Sequence, residues 1–225
     1  MPSEAPETGG SSTLGPQDLS QFLAYMTEGL HAMAQPLTIL RSSVPALAAA
    51  GVTPAKQQRY LELSIRQVQR ACTLFDRLQD LVVAGQTQAE CAPVDFAAMV
   101  ATVADENRKA LQDLGVELRV QLPGDLPMAQ GDASRTRQAL TAGFTAAALI
   151  SASGDVMEVA ATARNRQVEL VVRIDRVHGM CLESHERLNL RLAQANMTSQ
   201  RGDYECTEDP FQVRLALPSM CSPEL

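Results

Sequence analysis

Tryptophan is absent, and tyrosine and phenylalanine number only 3 and 5 in 225 residues. So few rings leave little surface on which bases or sugars could stack. Cysteine is sparse and scattered: Cys72, Cys91, Cys181, Cys206 and Cys221 form no Cys-x-x-Cys pair and are odd in number. That argues against a metal site and against a complete disulfide framework. Reduced, buried thiols in a cytoplasmic protein are the expectation. Positive charge is not in excess either, with 19 basic against 26 acidic residues and a formal net charge of -7. No general electrostatic footprint for nucleic acid is present. No apolar run approaches the ~20 residues of a membrane span, so no membrane partner is expected. Residues 1–16 lack the basic and apolar regions of a secretory signal, and their Pro, Gly, Ser and Glu content reads as a disordered tail. What remains is 45% hydrophobic and 20% charged, enough for a core and for one to two domains.

From residue 17 to about 50 one pattern dominates. Leu19, Leu23, Met26, Leu30, Met33, Leu37, Leu40, Val44 and Leu47 alternate spacings of four and three, the seam of a helix that packs on other helices. Pro16 and Asp18 suit its start. Pro36 and Pro45 fall inside it, and each removes a backbone hydrogen bond and favours a kink. After a break at 50–54, a second helix over 55–83 repeats the pattern with Leu61, Ile65, Val68, Cys72, Phe75, Leu78 and Val82. Two long helices joined by a short loop form an antiparallel hairpin. Pairing two hairpins into a four-helix bundle would bury both seams, which predicts a homodimer.

Residues 84–93 read as a linker, and the pattern then changes. A helix from Phe96 ends at Gly115, and residues 116–122 alternate with period two as a half-buried strand. Asp132 and Ser134 can start an alanine-rich helix to about Ile150. Residues 156–163 and 167–174 read as a hairpin, 182–197 as a helix, and 203–207 and 211–217 as two closing strands. This order gives an α+β chain: a helical hairpin over 17–84, then a two-layer α/β sandwich over 93–218.

The most informative segment is Gly29-Leu30-His31-Ala32-Met33-Ala34-Gln35-Pro36-Leu37. His31 lies one position off the seam, so its ring can reach solvent while its backbone is held rigid. A phosphoaccepting histidine needs that arrangement, since it must be neutral, exposed and fixed in orientation. An ordinary surface histidine is the alternative. Here the chain resembles the dimerisation and phosphoacceptor domain of sensor histidine kinases. That family's motif, His, acid, two variable residues, Thr/Asn/Gln, Pro, Leu, is matched at His31, Gln35, Pro36 and Leu37.

The second half is similar to the ATP-binding domain of the same family. Pro93-Val94-Asp95-Phe96 resembles its entry. Leu122-Pro123-Gly124-Asp125-Leu126-Pro127, then Gly131-Asp132 and Arg137-Gln138-Ala139-Leu140, resemble the approach to its first nucleotide-binding helix. The resemblance therefore implies a sandwich of the histidine-kinase ATPase type. The departures are systematic. The family's two magnesium-coordinating asparagines fall at Ala142 and Ala146, and alanine offers no oxygen to a hard cation. The lysine that often follows is Leu149. The adenine-binding Asp-x-Gly-x-Gly box stands as Asp175-Arg176-Val177-His178-Gly179, with Asp175 and Gly179 kept and its first glycine replaced by valine. Residues 183–189 replace the glycine-rich lid. The acid that follows the phosphoacceptor, which would serve as general base, is Ala32. His178 and His185 show no spacing suited to a metal. Asp175 is as well read as a capped turn residue, and Arg135 and Arg137 as exposed helix arginines.

Taken together, the resemblance and its departures imply a phosphorelay protein. His31 would carry a phosphoryl group between receiver-domain aspartates, with Gln35 orienting the phosphoryl group or a water and Pro36 shaping the helix. ATP and magnesium binding are expected to be lost, the receiver supplying its own magnesium, so no resident cofactor or metal is expected. The receiver would dock around Met26, Met33, Ala34, Leu37 and Thr38 on the first helix and Phe75 and Gln79 on the second. Two alternatives stand beside this: a divergent active sensor histidine kinase, and a non-enzymatic dimeric pseudokinase that binds a response regulator or a kinase.

Overall fold

The structure, a computed structural model, describes residues 16–48, 53–86, 89–175 and 182–220. The tail over 1–15 and the box residues 176–179, Gly179 among them, lie outside the described residues, as do Cys181 and Cys221. Two helices of equal length, α1 (Pro16–Ala48) and α2 (Pro54–Gln86), form the antiparallel hairpin. The helix α1 is unbroken through Pro36 and Pro45. Near the loop end the two helices are tied by a buried hydroxyl pair, Ser43 Oγ to Ser64 Oγ at 2.9 Å.

The rest of the chain is the α/β sandwich. Strand β1 (Ala92–Val94) is followed by α3 (Phe96–Asp113), β2 (Glu117–Gln121), β3 (Ala129–Gly131) and α4 (Ala133–Ile150). Then come β4 (Val156–Arg164), β5 (Gln167–Ile174), α5 (Ser184–Thr198), β6 (Asp203–Glu208) and β7 (Phe211–Pro218). Five strands order as β2-β4-β5-β7-β6, with β2 parallel to β4 and the other pairs antiparallel. One face of this sheet is apolar, and Met157, Val159, Leu170, Val172, Val213 and Leu215 pack there with Phe96, Val100, Leu140 and Phe144 from α3 and α4. Period-two alternation leaves the other face to charged side chains, paired as Arg173 with Glu158 and Arg214 with Glu169. Both helices start on an aspartate cap: Asp95 accepts from the Ala98 N–H at 2.9 Å, and Asp132 from the Arg135 N–H at 3.1 Å. The β4–β5 turn places Asn165 and Arg166 at positive φ, as a two-residue hairpin connection requires.

Two expectations need correction. The stretch read as a linker over 84–93 is partly structured: α2 continues to Gln86, and Ala92–Val94 pairs antiparallel with Ala129–Gly131. Pairs of three-residue strands carry too little periodicity to be seen in sequence. The expectation of buried thiols also fails, since Cys72 and Cys91 are exposed. Beside its apolar seam, α1 carries a second stripe. Leu23, Leu30, Leu37 and Val44 are exposed, while Tyr25, Gly29, Ala32, Pro36 and Ser43 are buried in a second stripe. Both α2 and α5 cover this stripe: Tyr25 meets Leu81 and Leu192, Ala32 meets Leu74, Leu78 and Leu188, and Ser43 meets Ser64 of α2. Its small and polar members do not register as a hydrophobic repeat.

Candidate functional site

His31 is exposed on α1, and its Nδ1 lies 2.9 Å from the backbone carbonyl of Thr27, one turn earlier. A carbonyl oxygen can only accept, so this contact places a proton on Nδ1, and in the neutral ring the lone pair is then on Nε2. The ring is thereby oriented, with its nucleophilic nitrogen turned away from the backbone. Gln35 follows on the same face one turn on and is exposed, whereas Pro36 is buried. Ala32, where a general base would stand, is buried with Leu74, Leu78 and Leu188. A carboxylate there would lose its hydration among apolar groups. The nearest acid along α1 is Glu28, three residues before His31, and its carboxylate faces Arg191 of α5 at 3.4 Å.

Helix α5 holds the sandwich against the hairpin beside this histidine. Leu188 packs on Ala32, Leu74 and Leu78, and Leu192 on Tyr25 and Leu81. Tyr25 Oη donates to Gln194 Oε1 at 2.8 Å, and the Arg191 guanidinium stands 5.4 Å from the Tyr25 ring centroid. At Gly29 a Cβ would come within 2.3 Å of Leu78 Cδ2 and 3.3 Å of Leu188 Cδ1. Only glycine lets the three helices approach so closely there.

Around His185 the absence of metal-ligand spacing needs correction, because the start of α5 turns three potential ligands together. Atoms of Glu183, His185 and Glu186 lie within 4.8 Å of one another. Arg70 of α2 enters that cluster, with Nη2 2.5 Å from Glu183 Oε2 and 3.3 Å from His185 Nδ1. His185 Nε2 is 2.5 Å from Glu186 Oε1. The ring thus accepts from the guanidinium on one side and donates to a carboxylate on the other. A side-chain cation already occupies the place an ion would take, and the group reads as a junction between hairpin and sandwich.

The residues at the nucleotide-site positions lie elsewhere. Ala146 is buried in the sandwich core, and Ala142 is half-buried against it. Neither methyl group offers an oxygen to magnesium, so these two positions do not fit the metal that the resemblance assigns to them. Asp175 is exposed, and its Oδ1 accepts from the Val156 N–H at 2.9 Å. Of the proposed docking residues, Ala34, Leu37, Thr38, Phe75 and Gln79 are exposed, while Met26 and Met33 are half-buried against α2 and α5. Arg135 is less exposed than expected and hydrogen-bonds Ser199 Oγ, whereas Arg137 pairs with Glu106.

A helical hairpin joined to this mixed sandwich is the architecture of histidine kinase cytoplasmic cores. The histidine kinase AdeS of Acinetobacter baumannii superposes with a TM-score of 0.65 at 18% identity, over 85% of this chain and 98% of that one. Full-length ShkA in complex with AMPPNP gives 0.57 at 17% identity over 94% of this chain, which spans about half (47%) of that structure. The cytoplasmic segment of histidine kinase QseC gives 0.50 at 16% identity over 68% of this chain. These likenesses establish the fold. No protein-family model and no curated protein matches the sequence. Among the described residues no helix is long and apolar enough to cross a membrane.

Proposed function

We propose that this chain is a two-component phosphorelay protein. It accepts a phosphoryl group on His31 from a receiver-domain aspartate and passes it to another receiver, without phosphorylating itself from ATP. The observation that carries the reading is the state of His31. Its ring is exposed, its Nδ1–H is committed to the Thr27 carbonyl, and a packed alanine follows it instead of a base. In the transfer, Nε2 forms the N–P bond while the bond from phosphorus to the aspartyl oxygen breaks and the carboxylate leaves with the electron pair. The Nδ1 proton stays against the Thr27 carbonyl, which steadies the positive charge gained by the ring. A donor with so good a leaving group needs no base beside the histidine, so Ala32 is tolerable here. Gln35, one turn on, is placed to hydrogen-bond the phosphoryl oxygens. The receiver supplies the magnesium and the acidic pocket.

Transfer depends on surface access, and the exposed residues Ala34, Thr38 and Gln79 are the proposed docking face, since Leu37 and Phe75 belong to the apolar stripes that a second hairpin would cover. Ala142 and Ala146 support the absence of ATP chemistry. A divergent kinase is the second reading, and Glu28 is the observation that favours it. Its carboxylate stands three residues from His31 and could act as a base if released from Arg191. The test is incubation of the full chain in magnesium with labelled ATP alone, and separately with panels of phosphorylated receiver domains. Label arriving only from a receiver and lost in His31→Ala is the expected result. Label on His31 from ATP alone, reduced in Glu28→Gln, would overturn the reading in favour of a kinase.

A further inference from the structure

From Gly29 to the end of α1 the sequence holds no carboxylate, so Glu28 is the acid of that helix nearest to His31. It precedes His31 by three residues, which makes the two side chains neighbours on the helix surface. Any phosphodonor that reaches His31 brings negative charge with it. A bare carboxylate at that position would repel the donor.

The charge of Glu28 is met from the sandwich. Arg191 of α5 places Nε 3.4 Å from Glu28 Oε2. The pair is partly open to water, so it adds little to stability. What distinguishes it is how the guanidinium is held. The guanidinium stands 5.4 Å from the Tyr25 ring centroid, and its Nη1 lies 3.5 Å from Gln194 Oε1. That same oxygen accepts from Tyr25 Oη at 2.8 Å, and Tyr25 is buried against Leu81 and Leu192. The close approach of α5 depends on Gly29, where a Cβ would come within 3.3 Å of Leu188 Cδ1. Leu188 and Arg191 are three residues apart and share a face of α5. Seating the leucine on the hairpin therefore delivers the arginine to Glu28.

We propose that Arg191 is a positioning residue for phosphorylation of His31. It holds and neutralises the Glu28 carboxylate, so an anionic phosphodonor meets no bare negative charge beside the ring. The proposal rests on His31 as the phosphoacceptor and not on which donor serves it. It gives the sandwich a task at the hairpin that needs no nucleotide, because the cation is supplied by α5 itself. Without Arg191, Glu28 faces the donor uncovered and labelling slows.

The test uses potassium phosphoramidate, a small anionic phosphodonor, on the untagged full chain at about pH 8, where an ordinary imidazole is neutral. Peptide mass mapping locates the phosphohistidine, with His31→Ala as the control. In this reaction Nε2 forms the N–P bond while the donor's own P–N bond breaks. The already protonated donor nitrogen leaves as ammonia with that electron pair, and Nδ1 keeps its proton. Arg191→Gln is expected to slow labelling about threefold to tenfold, and less so in about 1 M salt. Arg191→Lys keeps the charge and should retain most of the rate. Combining Arg191→Gln with Glu28→Gln should return the rate to within about twofold of the parent, since no bare carboxylate remains. Diethyl pyrocarbonate is an uncharged reagent for the same ring. It should modify His31 equally fast in every variant, whereas a displaced α5 would change that rate too. Labelling of Arg191→Gln at the parent rate overturns the proposal. So does faster labelling, which would make the freed Glu28 a base, or a loss that Glu28→Gln does not restore. Equal slowing toward diethyl pyrocarbonate would make Arg191 purely structural and overturns it as well. Receiver domains play no part in these rates, so a chain that takes label from no receiver fails the phosphorelay reading alone. A parent His31 inert to phosphoramidate overturns the present proposal.

Discussion

At Gly29 three helices converge, and the absence of a side chain is what permits it. A Cβ there would overlap Leu78 Cδ2 at 2.3 Å, and Leu78 is itself buried. Gly29→Val is therefore expected to destabilise the fold by about 1–3 kcal/mol through overpacking, even though valine is the better helix former. Urea unfolding monitored by circular dichroism measures this, and a variant as stable as the parent would show that α5 can retreat without loss. Cys206 illustrates a different use of burial. Desolvation, with a smaller contribution from Glu208, pushes its thiol up to about 11. Since only the thiolate is nucleophilic, Cys206 reacts slowly at pH 8, and the rate rises as pH climbs toward that value. Iodoacetamide at pH 8 should label the exposed Cys91 well before Cys206, which peptide mass mapping would detect.

At the scale of elements, α5 does the joining. Leu188 has no solvent exposure and makes its contacts with Ala32, Leu74 and Leu78 of the hairpin. Leu188→Ala should cost about 2–5 kcal/mol of that attachment. Hydrogen exchange should then quicken in α5 and around residues 25–32 of α1 while β5 and β7 stay protected. Equal acceleration in the sheet would mean that the two parts unfold as one unit. This attachment was not legible in the sequence, and the reason is specific. Leu19 to Leu47 announce one apolar stripe of α1, but the stripe that meets α5 runs through Tyr25, Gly29 and Ala32, residues that carry little hydrophobic periodicity. Apart from the short strands β1 and β3, the sandwich elements were legible to within about two residues. Asp95 and Asp132 cap their helices, and clean alternation marks β2, β4, β5 and β7. His31 stood out by its neighbours, above all Pro36. The Thr27 carbonyl that orients it and the Arg70–His185–Glu186 chain join residues distant in sequence or groups of the backbone, where no motif records them.

The whole molecule presents a surface that a single chain cannot cover. Leu30 is 59% exposed, Leu37 51%, Val68 48% and Phe75 51%, and with Leu23, Val44, Leu61 and Ile65 they form two heptad stripes on one side of the hairpin. Patches of this kind on a soluble protein mark an interface. A second hairpin related by two-fold symmetry would offer the same stripes in return, which predicts closure as a four-helix bundle. Because α5 already occupies the opposite side of the hairpin, the bundle and the sandwich do not compete for the same residues. The expected species in size-exclusion chromatography with light scattering is a dimer of the 24.2 kDa chain. Leu30→Glu or Val68→Glu, each placing a charge in the seam, should yield a monomer whose sandwich still melts cooperatively, since neither residue touches α5. A parent protein that is monomeric at micromolar concentration would instead assign the stripes to a different partner. His31, one position from Leu30, would then lie within that partner's footprint, and its phosphorylation would depend on what covers it.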